Sequence, residues 1–401
     1  MTHPPSDENF TDTARDAGAI AALRDLDSAE ATRWLDALTV EFAASAAELD
    51  RGPHFPYANL ARLRRAGLLS LTVPRALGGH EATLPQTLKV VRAVARGEPS
   101  TALILLMQCL YHLRLQANPN WPAELRVRFA KEAVEHGALI NSLRVEPELG
   151  SPSRGGLPAT VGRLDGDHWV LNGSKLYSTG SPGLTWFAVW GRTDEASPRV
   201  GTWLVRRGTP GVRFGAPWNH LGMRATGSHE VIFENVRVPA GLAVDLQPPG
   251  PGAGTDPITS MWMSVLLPAI YDGVARAARD WFVGWVARRV PSGLGAPLSS
   301  LDGFQQTAGR IDALLLSNRL LLDSAAAGGV TPAEAPAIKY LVSRNAIDTV
   351  ALTLEASSNP GLSRDNPLER HHRDVLCSRI HTPQNDVVLG NLGRAAYAAA
   401  L

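Results

Sequence analysis

Several stretches of the chain set hydroxyl, imidazole and small residues close together: Val145-Glu-Pro-Glu-Leu-Gly-Ser-Pro152, Asn172-Gly-Ser-Lys-Leu-Tyr-Ser-Thr-Gly180, Leu221-Gly-Met-Arg-Ala-Thr-Gly-Ser228 and Pro367-Leu-Glu-Arg-His-His-Arg-Asp374, followed by Arg379-Ile-His-Thr-Pro-Gln-Asn-Asp386. Imidazoles such as His112 and His381 donate or accept a proton near neutral pH. A glycine such as Gly150 lets backbone N–H groups come close to a bound group. Other chemistries lack their residues. The two cysteines, Cys109 and Cys377, lie in apolar helix-like stretches and offer neither a disulfide framework nor a zinc cluster, so no metal site is expected. No Gly-x-Gly-x-x-Gly follows a predicted strand, which removes support for a Rossmann nicotinamide site.

The elements that must position these groups fall into three blocks. From Ser28, residues Trp34, Leu35, Leu38, Phe42, Ala46 and Leu49 recur at helical spacing until Asp50-Arg-Gly-Pro53 stops them. Tyr57 to Ala66, a helix capped by Ser100 and running to Gln116, and Pro122 to His136 extend an N-terminal helical domain over residues 27–137. The period then changes to two. Strands are expected at Ala159 to Leu164, His168 to Leu171, Trp186 to Gly191, Thr202 to Arg206 and Glu230 to Phe233, with Asp165-Gly166 and Asn172-Gly173 as hairpin turns. That predicts an antiparallel β-barrel or sandwich over residues 138–246. A Pro/Gly linker at 247–258 leads to a C-terminal helical bundle over 259–401, with helices at Trp262 to Val290, Leu301 to Leu322, Ala333 to Ser357, Pro367 to Ile380 and Asp386 to Ala399. The expected class is α+β, mainly α.

Charge narrows the partners. Lys plus Arg total 39 and Asp plus Glu 38, so the formal charge of +1 gives no attraction to nucleic acid or anionic lipid. The apolar run Ala102 to Met107 is far short of the roughly 20 residues that span a bilayer. Residues 1–26 carry several acids and no apolar signal core, and read as a frayed polar leader. A cytoplasmic, reducing compartment is expected.

In order and spacing, the motifs at 145–152, 172–180 and 221–228, together with Val231 to Val236 and Val238-Pro239, resemble the acyl-CoA dehydrogenase superfamily over about residues 30–400. The resemblance implies a flavin clamped between the β-domain and the C-terminal bundle, in a homo-oligomer, dimer or tetramer. It assigns Val145, Gly150, Ser151, Tyr177 and Thr179 to the cofactor: Gly150 and Ser151 in a loop near the ring, Tyr177 packed on the isoalloxazine, Thr179 hydrogen-bonded to flavin N5. Two departures stand out. Val145 replaces the threonine usually found before the Glu-Pro pair, and Pro152 replaces the aspartate after Gly-Ser.

A dehydrogenase of this kind removes a proton α to a thioester carbonyl with a buried glutamate. The resemblance places that glutamate at one of two positions, and this chain carries Thr382 at one and Met263 at the other. The segment around Arg373-Asp374 and His381 looks instead like the branch containing dibenzothiophene monooxygenase, whose members take reduced flavin and react with oxygen. There His381, His112 and Thr179 become the catalytic candidates, whereas His371 and His372 read as solvated or interface residues. The phosphate end is altered too: Gln305 matches a cofactor-binding glutamine near a neighbour's flavin, but Pro291 stands where an arginine is usual, with Arg288 and Arg289 as substitutes, so the cofactor is FAD or FMN. The expected function is a two-component monooxygenase acting on a small apolar or sulfur- or nitrogen-bearing substrate, with a separate flavin reductase or an electron acceptor as partner. The alternatives are a divergent acyl-CoA dehydrogenase using a carboxylate such as Glu355 or Asp272, and a non-catalytic scaffold.

Overall fold

The computed structural model describes residues 15–52, 54–148, 156–250, 256–398 and 400. Six helices come first: α1 (Ala17–Ala22), α2 (Ala29–Arg51), α3 (Tyr57–Arg65), α4 (Leu84–Gly97), α5 (Pro99–Ala117) and α6 (Ala123–His136). Ser28 caps α2 by accepting the Ala31 N–H at 3.0 Å. The expected leader gives way to α1, because Ala19, Ala22, Leu23 and Leu26 bury apolar surface against α2 and its neighbours. The cap of α5 also differs from expectation. Glu98, not Ser100, holds the first turn, its carboxylate accepting from Ser100 N, Thr101 N and Thr101 Oγ1, while Pro99 needs no partner for an absent N–H.

The middle block is a sheet of eight strands, β1 (Ile140–Leu143), β2 (Val161–Asp165), β3 (His168–Lys175), β4 (Trp186–Thr193), β5 (Val200–Arg206), β6 (Val212–Phe214), β7 (Val231–Pro239) and β8 (Ala243–Gln247). Its order is β6-β7-β3-β2-β4-β5-β8, with β1 beside β4. The ladders are antiparallel except at β4, where both β1 and β2 pair parallel, so the sheet is mixed, not purely antiparallel. Asp165-Gly166 is a hairpin turn between β2 and β3, with Gly166 at φ 62°. Asn172-Gly173 is not one. It lies inside β3 as a bulge, because β7 supplies ladder partners on both sides, Leu171 with Val236 and Gly173 with Phe233.

The C-terminal bundle contains α7 (Pro257–Arg288), α8 (Asp302–Ala326), α9 (Ala335–Ser357), the short α10 (Asn359–Leu362), α11 (Leu368–Leu376) and α12 (Asn385–Ala398). α7 is long and apolar enough to cross a bilayer by length and composition, yet it is mostly buried, packed on α4, α5, α8, α9 and α11. Arg373 on α11 ties all three blocks together: it donates to Asp50 on α2 at 3.0 Å, to Glu369 at 2.8 Å and to the Leu221 carbonyl at 2.9 Å. A Cβ at Gly222 would stand 2.3 Å from the Arg373 carbonyl oxygen, so only glycine permits this contact.

Candidate active site

A cavity of about 460 Å³ lies between α5, β1, the first turns of α7, Pro336 on α9 and the Thr382-Pro383 segment. Met107 and Leu110 on α5 and Met263 on α7 supply apolar wall. Thr382 and Met263, the two positions where a dehydrogenase glutamate was expected, both line it.

The carboxylates around the cavity are committed elsewhere. Asp256 lines it, but as the N-cap of α7 it accepts from Thr259 N at 2.8 Å, from Ile258 N at 3.3 Å and from Thr259 Oγ1. Of the alternative bases, Asp272 is wholly buried between Arg276 at 2.7 Å and Asn318 at 3.1 Å, and Glu355 is exposed on α9. Burial pushes the Asp374 carboxyl up to about 7, but it accepts the Met223 N–H at 2.6 Å, and neither it nor the other two belongs to the cavity wall.

One wall is continuous with the Asn172–Gly180 motif. Asn141, on β1 and facing the cavity, donates to the Thr179 carbonyl at 3.0 Å. The Thr179 hydroxyl, half-buried, lies 3.0 Å from Ser228 Oγ, which lies 2.8 Å from Thr226 Oγ1. Tyr177 keeps a left-handed backbone at φ 53° and remains 53% exposed. A bulky residue held in that region without burial is strained, and such strain persists where surroundings or function require it. Its ring meets the edges of Trp218 and His220, which stack with centroids 3.5 Å apart. An exposed aromatic shelf beside a tethered hydroxyl fits a flat heteroaromatic group, so the residues present suit a flavin ring.

The remaining expected residues are dispersed. His381 places Nδ1 2.6 Å from the buried Tyr271 hydroxyl, and burial, with Lys339 nearby, lowers its pKa to about 4, leaving it neutral at pH 7. It immediately precedes Thr382 on the cavity wall. His112 is off that wall: its imidazole is buried on α5, lowered to about 4 by desolvation, with no hydrogen-bond partner at either nitrogen among the described residues. His371 is not solvated but buried on α11 and lowered to about 3 by desolvation and Arg370, whereas His372 is half-buried. Val145 bridges to Leu176, accepting its N–H at 2.9 Å. Gln305 is exposed on the first turn of α8, donating to the Ser299 carbonyl at 3.0 Å, and Arg288 and Arg289 are exposed at the end of α7. Gly150 and Ser151 lie outside the described residues.

Sequence reasoning missed the polar end of the cavity, where Tyr111 and Arg114 from α5 meet Arg144, just after β1. Arg114 sits 3.5 Å from Asp245 on β8, and the Arg144 guanidinium lies 4.4 Å from the Trp190 ring centre. The available signal was an arginine on an otherwise apolar helix, since arginine is rarely buried without a partner.

Family models for the acyl-CoA dehydrogenase N-terminal, middle and C-terminal domains match residues 32–118, 145–236 and 263–397. The Bacillus subtilis protein named "Putative acyl-CoA dehydrogenase YdbM" is 32% identical over 364 residues, covering 89% of this chain and 94% of that protein. A solved structure of KijD3 in complex with dTDP aligns with TM-score 0.80 and 26% identity, covering 98% of this chain and all of the other. FMN-bound TdsC from Paenibacillus sp. A11-2, at TM-score 0.79 and 20% identity over 90% of this chain and 95% of its own, shares the fold. With three domain matches in order, this relative along nearly its whole length and a shelf suited to a flavin ring, the chain belongs to the acyl-CoA dehydrogenase family of flavin-dependent oxidoreductases.

Proposed function

We propose that the protein is a two-component monooxygenase, receiving FAD or FMN reduced by a separate reductase and using O2 to oxygenate a small apolar or sulfur- or nitrogen-bearing compound. One oxygen atom goes to the substrate and the other leaves as water. The observation that carries this reading is the cavity wall: Met263 and Thr382 occupy both positions for a dehydrogenase base, and Asp256, its one carboxylate among the described residues, is engaged as a helix cap. Bound flavin would supply the electron pair and the reaction with oxygen.

The chain's own residues divide the remaining work. Asn141 fixes the Thr179 backbone, so the Thr179 hydroxyl is presented at a set position for a hydrogen bond to the flavin edge. Met107, Leu110 and Met263 keep water from the cavity, where a reactive oxygen species would otherwise be lost. His381, neutral and held by Tyr271, offers a hydrogen bond without bringing a charge. KijD3 has also been solved with FMN and an amino-sugar nucleotide, at 26% identity and TM-score 0.75, which supports a nitrogen-bearing substrate. We extend the proposal to a homodimer or tetramer that brings Gln305 to a neighbour's cofactor, supported by Leu316 and Leu320, 49% and 54% exposed on the same helix. Two free cysteines suit a reducing, cytoplasmic compartment.

The second reading, a dehydrogenase with an unusual base, is favoured by the name of the 32% identical relative. Mixing the holoprotein anaerobically with acyl-CoAs of several chain lengths separates the two: bleaching of the oxidised flavin establishes a dehydrogenase and overturns the monooxygenase. A transient absorbance on mixing reduced holoprotein with oxygen, preceding return of the oxidised spectrum, supports it. A protein that takes up neither FAD nor FMN is the scaffold.

A further inference from the structure

We infer that the compound entering the cavity carries an anionic group, a carboxylate or a phosphate, which Arg114 and Arg144 receive. The inference rests on reading this cavity as the substrate site, and it adds a charge requirement to the substrate class. Two guanidinium-bearing side chains from different elements, α5 and the end of β1, line one cavity whose other walls include Met107, Leu110 and Met263. A purely apolar substrate would gain nothing from them, whereas an anion meets forked donors in a low-dielectric setting that strengthens each hydrogen bond.

The surroundings are arranged to position these two groups. Asp245 approaches Arg114 at 3.5 Å, longer than a tight charge-assisted hydrogen bond, and is also shared with the amides of Asn118 at 3.3 Å and Asn120 at 3.4 Å. Trp190 carries the face of Arg144 at 4.4 Å, which fixes the plane of its guanidinium. Tyr111, on the same wall, lies within electrostatic reach of Arg114, Arg144 and Asp245. Burial and repulsion from Arg114 hold Arg144 down to about 10 against the pull of Asp245 and Tyr111, and a bound anion would relieve that repulsion. Asp256, the carboxylate on the wall, is held by the first turn of α7.

The test is calorimetric titration of the holoprotein with matched probes: benzoate, phenyl phosphate and neutral benzyl alcohol. The expected result is that at least one anion binds about tenfold or more tightly than benzyl alcohol, and the stronger anion identifies carboxylate or phosphate. Arg144→Met and Arg114→Met should each reduce that preference severalfold, and Arg144→Lys should restore part of it, since an ammonium supplies charge without the fork. Equal binding of all three probes, no binding of either anion, or a preference unchanged in both methionine variants overturns the inference. Circular dichroism and flavin retention report whether the variants fold; if they do not, the ranking on the unaltered protein decides. The titration uses neither oxygen nor a thioester, so its failure leaves the proposed reaction standing, and flavin bleaching by acyl-CoA would remove the reaction without touching anion selectivity.

Discussion

Two groups of buried charge sit at opposite faces of the same problem. Within the β-domain, Glu146 and Lys175 meet at 2.6 Å with side chains 2% and 0% exposed, and the Glu146 oxygens also accept from Ala159 N, Thr160 N and Thr160 Oγ1. Burial presses the Lys175 ammonium down to about 8, while on Glu146 the charge of Lys175 and the surrounding donors outweigh burial and keep the carboxyl below its ordinary range. That group is closed: it ties Glu146 to Lys175 on β3 and to the backbone at Ala159 and Thr160. Arg114 and Arg144 are instead brought to a cavity wall, with Asp245 at looser range. A charge enclosed on every side by its partners serves the fold, and a charge on a cavity wall is also within reach of what enters the cavity.

The largest test of this contrast removes one member of the closed pair. Lys175→Met should cost about 3–5 kcal/mol in urea unfolding, because it strands a buried carboxylate; a loss below about 1 kcal/mol would refute the structural half of the comparison. Acid should reveal a third kind of buried group, neutral imidazoles off the cavity. His112 and His371 are lowered to about 4 and 3 by burial. Both are neutral in folded and unfolded chains above about pH 6.5. As pH falls below that value the unfolded chain takes up the proton first, so stability drops by about 1.4 kcal/mol per pH unit for each histidine until the folded pKa is reached. Denaturant titrations between about pH 6.5 and 4.5 should show this slope, reduced by one proton in His112→Leu; an unchanged slope would mean His112 titrates normally.

On the cofactor side the effects are smaller. Tyr177→Ala should weaken flavin binding about three- to tenfold, the worth of one aromatic contact, while leaving unfolding nearly unchanged because the side chain is half exposed. Retention of flavin on dialysis reads the first quantity, and full retention would remove Tyr177 from the cofactor shelf. The smallest change is expected from Gln305→Ala, within about 0.5 kcal/mol in unfolding. Through the proposed contact with a neighbour's cofactor, this variant should nevertheless lose flavin from the oligomer in gel filtration with absorbance detection, and full retention would remove Gln305 from that contact.

Much of this arrangement was legible along the chain. The spacing from Trp34 to Leu49 marks α2, and the breakers around the C-terminal helices set their bounds to within a few residues, because an apolar stripe and its caps are local properties. The errors fall where a distant partner, or a stronger local one, overrides a local signal. Asn172-Gly173 has turn chemistry, yet β7 continues the ladder through it; Ser100 has capping chemistry, yet the Glu98 carboxylate reaches three donors. α4 carries a local signal of the same kind that the sequence reading omits: Leu84, Leu88, Val91, Val94 and Ala95 recur at helical spacing behind a Thr83–Gln86 capping box. In the stretch read as part of a polar leader, Ala19, Ala22, Leu23 and Leu26 turn inward.

By itself, the sequence put methionine and threonine at the two places where the resemblance expects a dehydrogenase carboxylate, since side-chain identity does not depend on folding. Only the tertiary structure decided that these two positions share one cavity, that Asp256 on its wall is occupied as a cap, and that Arg114 and Arg144 converge there. Periodicity records which face of an element is buried. What that face meets depends on packing among α5, β1 and α7, elements far apart in the chain, and that long-range geometry leaves no local trace.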